Sequence, residues 1–580
     1  MKESLSSEKK WEIFFTIVKR SIRIYRREIV LLISLWVLLL ALGAIVPFLT
    51  RNVIDTITYA PFSYLVQVIL AIIIIATILH IINKYLEYRF QMLKAKGRKD
   101  LWADCYTAIQ QREIKEIKSG EPTGVILSKI LSDTEMTADL MCGCFISLVV
   151  NAMKLVTAII IISLMSLHII AIILLTVPLF YILMRKFAII LLESSEKERI
   201  VFSNVNESLR EKLEGLITIK EMVKEKFFSS KFRNDCNEWF TAKRKIVFAS
   251  QLFEGLFLLI IVLAPKIVLG IGVLLVVYGL TTIGTIVAII LIVENFYESL
   301  ANIIGTYSAI HQYIPPAERV LKMLETPGTR WNGKMEVHRI ENLKFENVYF
   351  KYKDNPILVG FTMSISAGEC VAIVGESGAG KSTIVNLILG HDIPYGGRIS
   401  INGRNLNEYN ITTVRRKIKV VRQGDFLFNL SIRENITLGE EVSKDVFASL
   451  TKIAQLEEFV PFLTEGYNTV VGDRGVKLSD GQKQRVAIAR ALLQYPDVLI
   501  IDEGTSAIDS KTEEKILREI KRYLPESIIL LISHRLSTIL SADRIIVLAD
   551  GKNIAEGKHE WLYENVPEYR HLFQTQILKE

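Results

Sequence analysis

The distribution of apolar residues along the chain limits its fold more than any other feature. A lipid-exposed backbone must satisfy its own polar groups, and a helix of about 20 residues does so across a hydrocarbon core of roughly 30 Å. Six apolar runs in the first half are long enough: about 29 to 50, 63 to 84, 140 to 164, 167 to 191, 248 to 278 and 281 to 304. The sequence therefore predicts six membrane-spanning helices followed, after about residue 305, by a soluble domain.

Basic residues between these runs predict the orientation of the chain. The connections after the first, third and fifth runs are short, with Arg51 as their one basic residue, whereas those after the second and fourth are long and rich in lysine and arginine. Because basic loops stay on the cytoplasmic side, both termini are predicted to be cytoplasmic. The spans themselves are predicted to lie in the cell (inner) membrane. The same residues account for the net charge of +8, so no nucleic-acid binding is inferred from it.

Three amphipathic segments accompany the predicted spans. Residues 11–27 predict a helix on the membrane surface before the first span, with a plain extension of that span as the alternative. Its apolar face is predicted to contain Trp11, Phe14, Phe15, Val18 and Ile22. Residues 123–135 and 211–232 are interrupted by glycine and predict short helices that contact a partner domain, or else a solvated helical hairpin.

A few ionisable residues lie well inside the predicted spans. They are His80, Lys154, Glu254, Lys266 and Glu294. A charge at mid-membrane costs at least about 2.5 to 3.5 kcal/mol, so such groups usually face a cavity or pair with one another. Two interpretations stay open: a polar translocation pathway, and buried pairs of lysine with glutamate that hold helices together.

The soluble half contains a segment with the order of a phosphate-binding loop. CVAIVGESGAGKSTIVNLIL, residues 370–389, is an apolar strand, a glycine-rich loop and a helix. Glycine lets the backbone turn and aim its N–H groups at phosphates, Lys381 is expected to reach the β- and γ-phosphates, and Ser382 to ligate magnesium. The predicted ATP-binding residues of this loop are Gly375, Glu376, Ser377, Gly378, Ala379, Gly380, Lys381, Ser382 and Thr383.

Further residues that suit phosphate hydrolysis follow other apolar strands. Val498 to Ile501 precede Asp502, predicted to hold magnesium through water, and Glu503, predicted to orient or deprotonate the attacking water. Gln423 is predicted to sense magnesium and the water, and His534 to contact the γ-phosphate. Each of these residues alone would be unremarkable, but the phosphate loop upstream favours the catalytic interpretation.

The phosphate loop, Gln423, the segment Leu478-Ser479-Asp480-Gly481-Gln482, Asp502-Glu503 and His534 occur in the order of the ATPase domain of ABC transporters. TGVILSKILSD, EGLITIKEMVKE and VVYGLTTIGTIVAII resemble membrane-domain segments of the same family. The chain therefore resembles an exporter-type half-transporter over its whole length. The resemblance implies a type IV ABC exporter fold with six long transmembrane helices, followed by an α/β P-loop ATPase domain.

The same resemblance implies domain boundaries and further roles. The domains are an N-terminal elbow helix (1–28), a transmembrane domain (29–312), a linker (313–340) and a nucleotide-binding domain (341–580). Tyr352 matches the aromatic residue that stacks on adenine, and 506–509 matches the loop that joins two ATP sites. The segment 478–482, called the signature below, matches the one that binds a γ-phosphate held by another copy. Its predicted ATP-binding residues are Ser479, Gly481 and Gln482.

Three positions depart from the pattern of the family. Asp480 stands where glycine is usual, Asp473 where glutamate is usual, and Val125 where an acid is frequent. Asp480 adds a carboxylate near a site for phosphate, either as a tolerated variant in a homodimer or as a change that weakens one site of a heterodimer. The homodimer is the preferred interpretation.

The predicted function is ATP-driven export of a peptide, an amphiphilic drug or a lipid-like substrate by a dimer, through alternating access. The alternatives are a nucleotide-gated channel or regulatory subunit with little ATP turnover, and an importer permease fused to its ATPase. The intact Glu503 and His534 argue against the first. The long spans with deep cytoplasmic loops argue against the second.

Overall fold

The computed structural model describes residues 7–112, 123–325, 333–533 and 535–577. The chain divides into two compact units, one of long helices up to Thr326 and one of mixed strands and helices from Pro327. The predicted order of a helical membrane domain and an α/β domain is confirmed.

The first unit is helical, and most of its helices are long. They are α1 (Ser7–Gly43), α2 (Ile45–Thr56), α3 (Phe62–Gln110), α4 (123–165), α5 (Leu167–Glu214), α6 (Leu216–Glu221), α7 (Glu225–Val277) and α8 (Ile283–Leu324). Within the described residues, five stretches are long and apolar enough to cross a membrane: Glu8–Thr56, Phe62–Gln110, Gly124–Met165, Glu225–Val277 and Ile283–Leu324. The predicted span 167–191 lies in α5, where many side chains fall outside the described part of the chain, and its membrane crossing stays a prediction.

The two predicted short helices have different outcomes. Residues 123–135 do not form a separate helix, because α4 continues from residue 123 through π-helical turns at Lys129–Asp133 and Asp139–Cys144. Gly124 has open space around it at the start of α4 and interrupts nothing. In the second segment, α6 is a separate short helix between Gly215 and Val223, which has a left-handed φ of 53°. Its predicted contact with a partner domain stays a prediction.

The first helix bends at Tyr25, where the dihedral angles leave the helical range. The residues before the bend thus form their own segment, in which Phe15 is 62% and Ile22 39% exposed; the position of this segment on the membrane surface stays a prediction. The buried face contains Ile13, Phe14, Ile17, Val18, Ser21 and Tyr25. Contacts with α3 select this face, since Tyr25 donates a hydrogen bond to Asp100 at 2.7 Å.

The first residues of the predicted linker are helical. Residues 313–324 belong to α8, which includes Pro315 and Pro316, and residues 326–332 lie outside the described chain. Ile314, Ala317 and Val320 are buried at helical spacing in this last stretch, and their packing outweighs the hydrogen bond that proline removes.

The second unit contains ten strands and nine α-helices within its described residues. The strands are β1 (Asn342–Tyr352), β2 (Asn355–Ser366), β3 (Cys370–Val374), β4 (Gly396–Ile401), β5 (Arg404–Asn405), β6 (Ile418–Arg422), β7 (Val498–Asp502), β8 (Ile528–Ile532), β9 (Arg544–Ala549) and β10 (Lys552–Gly557). The α-helices are α9 (Lys381–Ile388), α10 (Ile411–Lys417), α11 (Ile432–Thr437), α12 (Lys444–Ile453), α13 (Asp480–Leu492), α14 (Ser510–Tyr523), α15 (Leu536–Leu540), α16 (His559–Asn565) and α17 (Pro567–Ile577).

Two sheets organise this unit. One has the order β2-β1-β4-β5 and is antiparallel, and the other has the order β10-β9-β3-β8-β7-β6 with β10 as its one antiparallel member. All residues of β3 and β8 are buried, as expected for parallel strands covered on both faces. The parallel pairing brings the carboxyl ends of β3, β6, β7 and β8 to one edge, where ligands bind in sheets of this kind.

Candidate functional site

The glycine-rich loop after β3 has the backbone geometry of a phosphate cradle. A side chain at Gly375 would collide with the carbonyl of Leu548, so the backbone approach there requires glycine. Gly378 and Gly380 have left-handed φ angles of 88° and 107°. Gly380 is the N-cap of α9 and provides no side-chain cap, so the N–H groups of the first turn remain available for an anion.

Lys381 supplies the positive charge of this loop. It is buried, and its ammonium donates to the carbonyls of Gly375 at 2.6 Å and Glu376 at 2.8 Å. Burial lowers the pKa of Lys381, while the carboxylates of Glu503 and Asp502 oppose that shift. The lysine is thus folded over the loop on the side of the two acids, where bound phosphates would replace the two carbonyls as its partners.

The acids lie at the neighbouring strand end. Asp502 closes β7, and its carbonyl accepts the N–H of Gln423 at 3.3 Å. Burial raises the pKa of Asp502, Arg422 opposes the rise, and Glu503 adds to it. Glu503 has a left-handed φ of 52°, and its N–H donates to Ile532 at 2.8 Å.

The structure therefore brings four predicted residues to one sheet edge: Lys381, Gln423, Asp502 and Glu503. His534, predicted to contact the γ-phosphate, lies outside the described residues. The preceding strand β8 ends at Ile532, beside β7. The predicted role of His534 therefore stays a prediction.

The donor set next to Lys381 fits magnesium only together with phosphate. Within the described ranges there is no group of three or more His, Cys, Asp and Glu residues that could hold a metal ion. Magnesium commonly keeps several waters and binds one or two carboxylates plus substrate phosphates. The Ser382 hydroxyl, exposed at the start of α9, and the Asp502 carboxylate are oxygen donors of this type.

Tyr352 lies at the end of β1, close to the helix that follows the phosphate loop. Burial raises the pKa of its hydroxyl, which donates to Asp392 at 2.8 Å, while bonds with Asn386 and Thr383 act against that shift. The residue is 41% exposed, so part of its ring is open to a ligand. Its predicted stacking on adenine stays a prediction.

The signature forms hydrogen bonds within its own helix terminus. Ser479 is the N-cap of α13: its hydroxyl accepts from the N–H of Gln482 at 3.3 Å, and the Gln482 side chain accepts from the N–H of Ser479 at 2.9 Å. Asp480 is 81% exposed and pairs with Lys483 at 3.0 Å. A Cβ on Gly481 would lie 2.6 Å from the carbonyl of Ala507, so the signature closely approaches the 506–509 loop.

Sequence reasoning missed a polar network behind this loop. Glu513 is completely buried on α14, and it contacts Arg535 at 3.3 Å. Gln484 on α13 accepts the N–H of Ala507 at 3.0 Å. Glu513 precedes Ile516 and Ile520 at helical spacing, so an acid on the buried face of α14 was detectable in the sequence.

The intramembrane charges are not paired as one interpretation expected. The ammonium of Lys154 lies 5.0 Å from the centroid of the Trp36 ring, and that of Lys266 donates to the Val262 carbonyl at 3.0 Å. Glu254 accepts from Gln251 at 3.3 Å. In the part of the chain that the structure describes, no ion pair joins these lysines to Glu254 or Glu294.

Comparison with known proteins agrees with this architecture over nearly the whole chain. Residues 29–300 match the ABC transporter transmembrane region, and residues 358–506 match the ABC transporter family. YgaD of Bacillus subtilis, a protein named for multidrug export, is 31% identical over 506 residues, covering 86% of this chain and 87% of YgaD. The ATP-dependent lipid A-core flippase of Syntrophus aciditrophicus is 30% identical over 482 residues, covering 82% of this chain and 80% of the flippase.

A solved structure shows the same likeness in three dimensions. It is a bacterial Atm1-family ABC exporter with ATP bound, which is 26% identical with a TM-score of 0.82, covering 96% of this chain and 99% of that one. The chain belongs to the ABC transporter family. It is a multi-pass membrane protein whose ATPase domain binds nucleotide and couples ATP hydrolysis to transport.

Proposed function

We propose that the chain is one half of a dimeric exporter. It moves a peptide, an amphiphilic drug or a lipid-like molecule out of the cytoplasm or the inner leaflet by alternating access. Both termini and the ATPase unit lie in the cytoplasm, and the membrane is the cytoplasmic one. The observation that carries the proposal is the meeting of Lys381, Asp502 and Glu503 at one sheet edge, in a chain that resembles exporters from end to end.

The residues at this edge have different roles in ATP hydrolysis. Lys381 and the amides of 375–383 hold the phosphates, and Glu503 orients or deprotonates the attacking water. Ser382, Gln423 and Asp502 are the residues that would hold magnesium. When bound, magnesium neutralises charge on the β- and γ-phosphates. His534 contacts the γ-phosphate.

Each ATP is shared by two copies. The chain has one phosphate loop and one signature, so Ser479, Gly481 and Gln482 complete the site of a second copy. The N-terminus of α13 offers positive potential to the γ-phosphate of that copy. ATP binding therefore closes two ATPase units, and this closure opens the membrane helices outward until hydrolysis resets them. A homodimer is preferred over a heterodimer.

The exposed face of α8 supports the proposed substrate class. Glu294, Glu298 and Asn302 are exposed at a spacing of four residues, which places them on one side of the helix. Carboxylates at membrane depth are retained where they meet a water-filled cavity or a polar partner. An amphiphile or a peptide that bears polar groups fits this face better than a purely apolar molecule.

ATP turnover in reconstituted protein tests the proposal. Glu503→Gln should remove ATP hydrolysis and vanadate trapping of nucleotide while ATP binding persists, because the phosphate loop is untouched. Glu441→Gln, which changes an exposed acid of the same unit, is the matched control. Full turnover in Glu503→Gln would exclude the assigned base.

The channel or regulatory-subunit alternative makes the opposite prediction. It requires ATP-dependent ion conductance in a planar bilayer and no substrate-stimulated turnover. Stimulation of hydrolysis by candidate amphiphiles and peptides, with no conductance, supports export. Conductance that persists in Glu503→Gln would favour the channel.

A further inference from the structure

The turn after Glu503 is anchored to a buried carboxylate that the proposed chemistry does not use. Glu513 is 0% exposed, and a buried acid requires partners. Thr505 donates its hydroxyl to Glu513 at 2.6 Å, and Thr538 donates to the same oxygen. Arg535 pairs with the other oxygen at 3.3 Å. Glu513 thus joins the turn after β7 to the start of α15.

Arg535 also binds the 506–509 loop, which the signature approaches. Its guanidinium donates to the carbonyls of Thr505 at 3.4 Å, of Ser506 and of Ile508. From the other side, the Gln484 amide of α13 donates to the Ser506 hydroxyl at 3.3 Å. The 504–509 segment is therefore fixed between α13 and the residues that follow β8.

The anchored segment begins at a strained residue. Glu503 has a φ of 52°, which a non-glycine residue adopts only when its surroundings determine it. Gly504 leaves no room for a side chain, since a Cβ there would lie 2.7 Å from the carbonyl of Val421. The N–H of Ser506 donates back to the Glu503 carbonyl at 3.1 Å. Holding Thr505 therefore holds the backbone of Glu503.

We propose that Glu513 and Arg535 are positioning residues for ATP hydrolysis. Glu513 fixes Thr505, and through it the left-handed backbone of Glu503, so that the carboxylate of Glu503 meets the attacking water in one orientation. Arg535, which follows His534 in the sequence, binds the same turn through the carbonyls of Thr505 and Ser506. The inference rests on the proposed role of Glu503 as the group that orients or deprotonates water.

The sharpest test removes one hydroxyl. Thr505→Val in the full-length, reconstituted protein should lower kcat about 10- to 100-fold, as expected for a misplaced reacting group, with KM for ATP within about twofold. Thr505→Ser restores the hydroxyl and should recover kcat to within about threefold of the wild type. A merely structural role would lower the melting temperature without separating kcat from KM.

Glu513→Gln supplies the second arm. It keeps the shape of the side chain but offers an amide to groups that are themselves donors, so kcat should fall at least as far as in Thr505→Val. Glu514→Gln, at the exposed neighbouring position of the same helix, is the matched control and should match the wild type. The Glu513→Gln, Thr505→Val double variant should fall no further than Glu513→Gln alone, because both act through one bond.

Turnover is normalised to bound ATP, so that loss of folded protein is not counted as loss of catalysis. Unchanged kcat in Thr505→Val and Glu513→Gln, or losses that multiply in the double variant, would overturn the inference. If Thr505→Val and Glu513→Gln keep kcat while Glu503→Gln abolishes it, the positioning role is wrong but the proposed role of Glu503 stands. If Glu503→Gln itself keeps kcat, the proposed base fails.

Discussion

Two helix N-termini of the ATPase unit differ in how they are capped. α9 starts after Gly380, which has no side chain, and Lys381 and two acids lie beside it. α13 follows its N-cap Ser479, and the capping hydrogen bonds between Ser479 and Gln482 already satisfy one N–H of its first turn. The first terminus leaves its N–H groups available for an anion. At the second, the Gln482 N–H is already bonded in a cap worth about 0.5 to 2 kcal/mol, and the Ser479 hydroxyl can still donate to an anion.

This difference suggests the order in which the two helix termini bind ATP. Under the proposed function, ATP would bind first at the phosphate loop, and the signature of a second copy would then contact the γ-phosphate. The exposed Asp480 in the first turn of α13 would oppose this contact, because its carboxylate and a γ-phosphate bound nearby would repel each other. The predictions below test whether the N-termini of α9 and α13 differ in this way.

The largest expected effect is on the phosphate loop. Lys381→Met should weaken ATP binding about 10- to 100-fold, since a hydrogen bond to a charged group contributes about 1.5 to 3 kcal/mol. Equilibrium binding of ATP to the detergent-purified protein measures this. Ser479→Arg in the same assay should bind ATP within about twofold of the wild type, because the signature is not needed for the first step.

Equal losses of ATP affinity in Lys381→Met and Ser479→Arg would contradict the proposed order. Lys452→Met, at an exposed lysine of α12, controls for loss of charge alone.

A smaller effect is expected where the signature approaches the 506–509 loop. Gly481→Ala places a methyl group 2.6 Å from the Ala507 carbonyl, so either α13 or the loop must move. Because displacement by about 1 Å costs up to about 100-fold, turnover should fall about 10-fold while ATP binding stays unchanged. Steady-state hydrolysis and equilibrium binding measure the two quantities. Gly270→Ala, at a helical glycine of α7 with open space around it, controls for the added methyl group; a comparable loss there would remove the argument.

The smallest effect concerns Asp480. Lys483→Ala leaves this carboxylate unpaired, and an exposed ion pair contributes about 0.2 to 1 kcal/mol, so KM for ATP should rise about 1.4- to fivefold. Adding Asp480→Gly should return KM to the value of the wild type or below. If Lys483→Ala raises KM equally with and without Asp480→Gly, the lysine acts by another route.

The sequence predicted the ATPase unit better than the helix faces. The glycine-rich loop between β3 and α9 and the strand that ends at Asp502 occur where the sequence predicted them, because glycine conformations and buried strands are local properties. The sequence did not show which apolar residues of α1 are buried in the protein, since Ile17 and Phe15 are both apolar and only the neighbouring helix decides which one is buried. Glu513 was missed because its partners come from 505 and 535–538, beyond the reach of any local pattern.

One measurement tests most directly whether two copies complete each site. All chains would carry Glu503→Gln so that ATP is retained, and differently tagged copies with Lys381→Met and Ser479→Arg would be co-purified as mixed pairs. One site of such a pair then combines an intact phosphate loop with an intact signature. Shared sites predict about one occluded ATP per mixed pair and none in either variant paired with itself. No occluded ATP in the mixed pair, or full occlusion in Ser479→Arg paired with itself, would contradict the account.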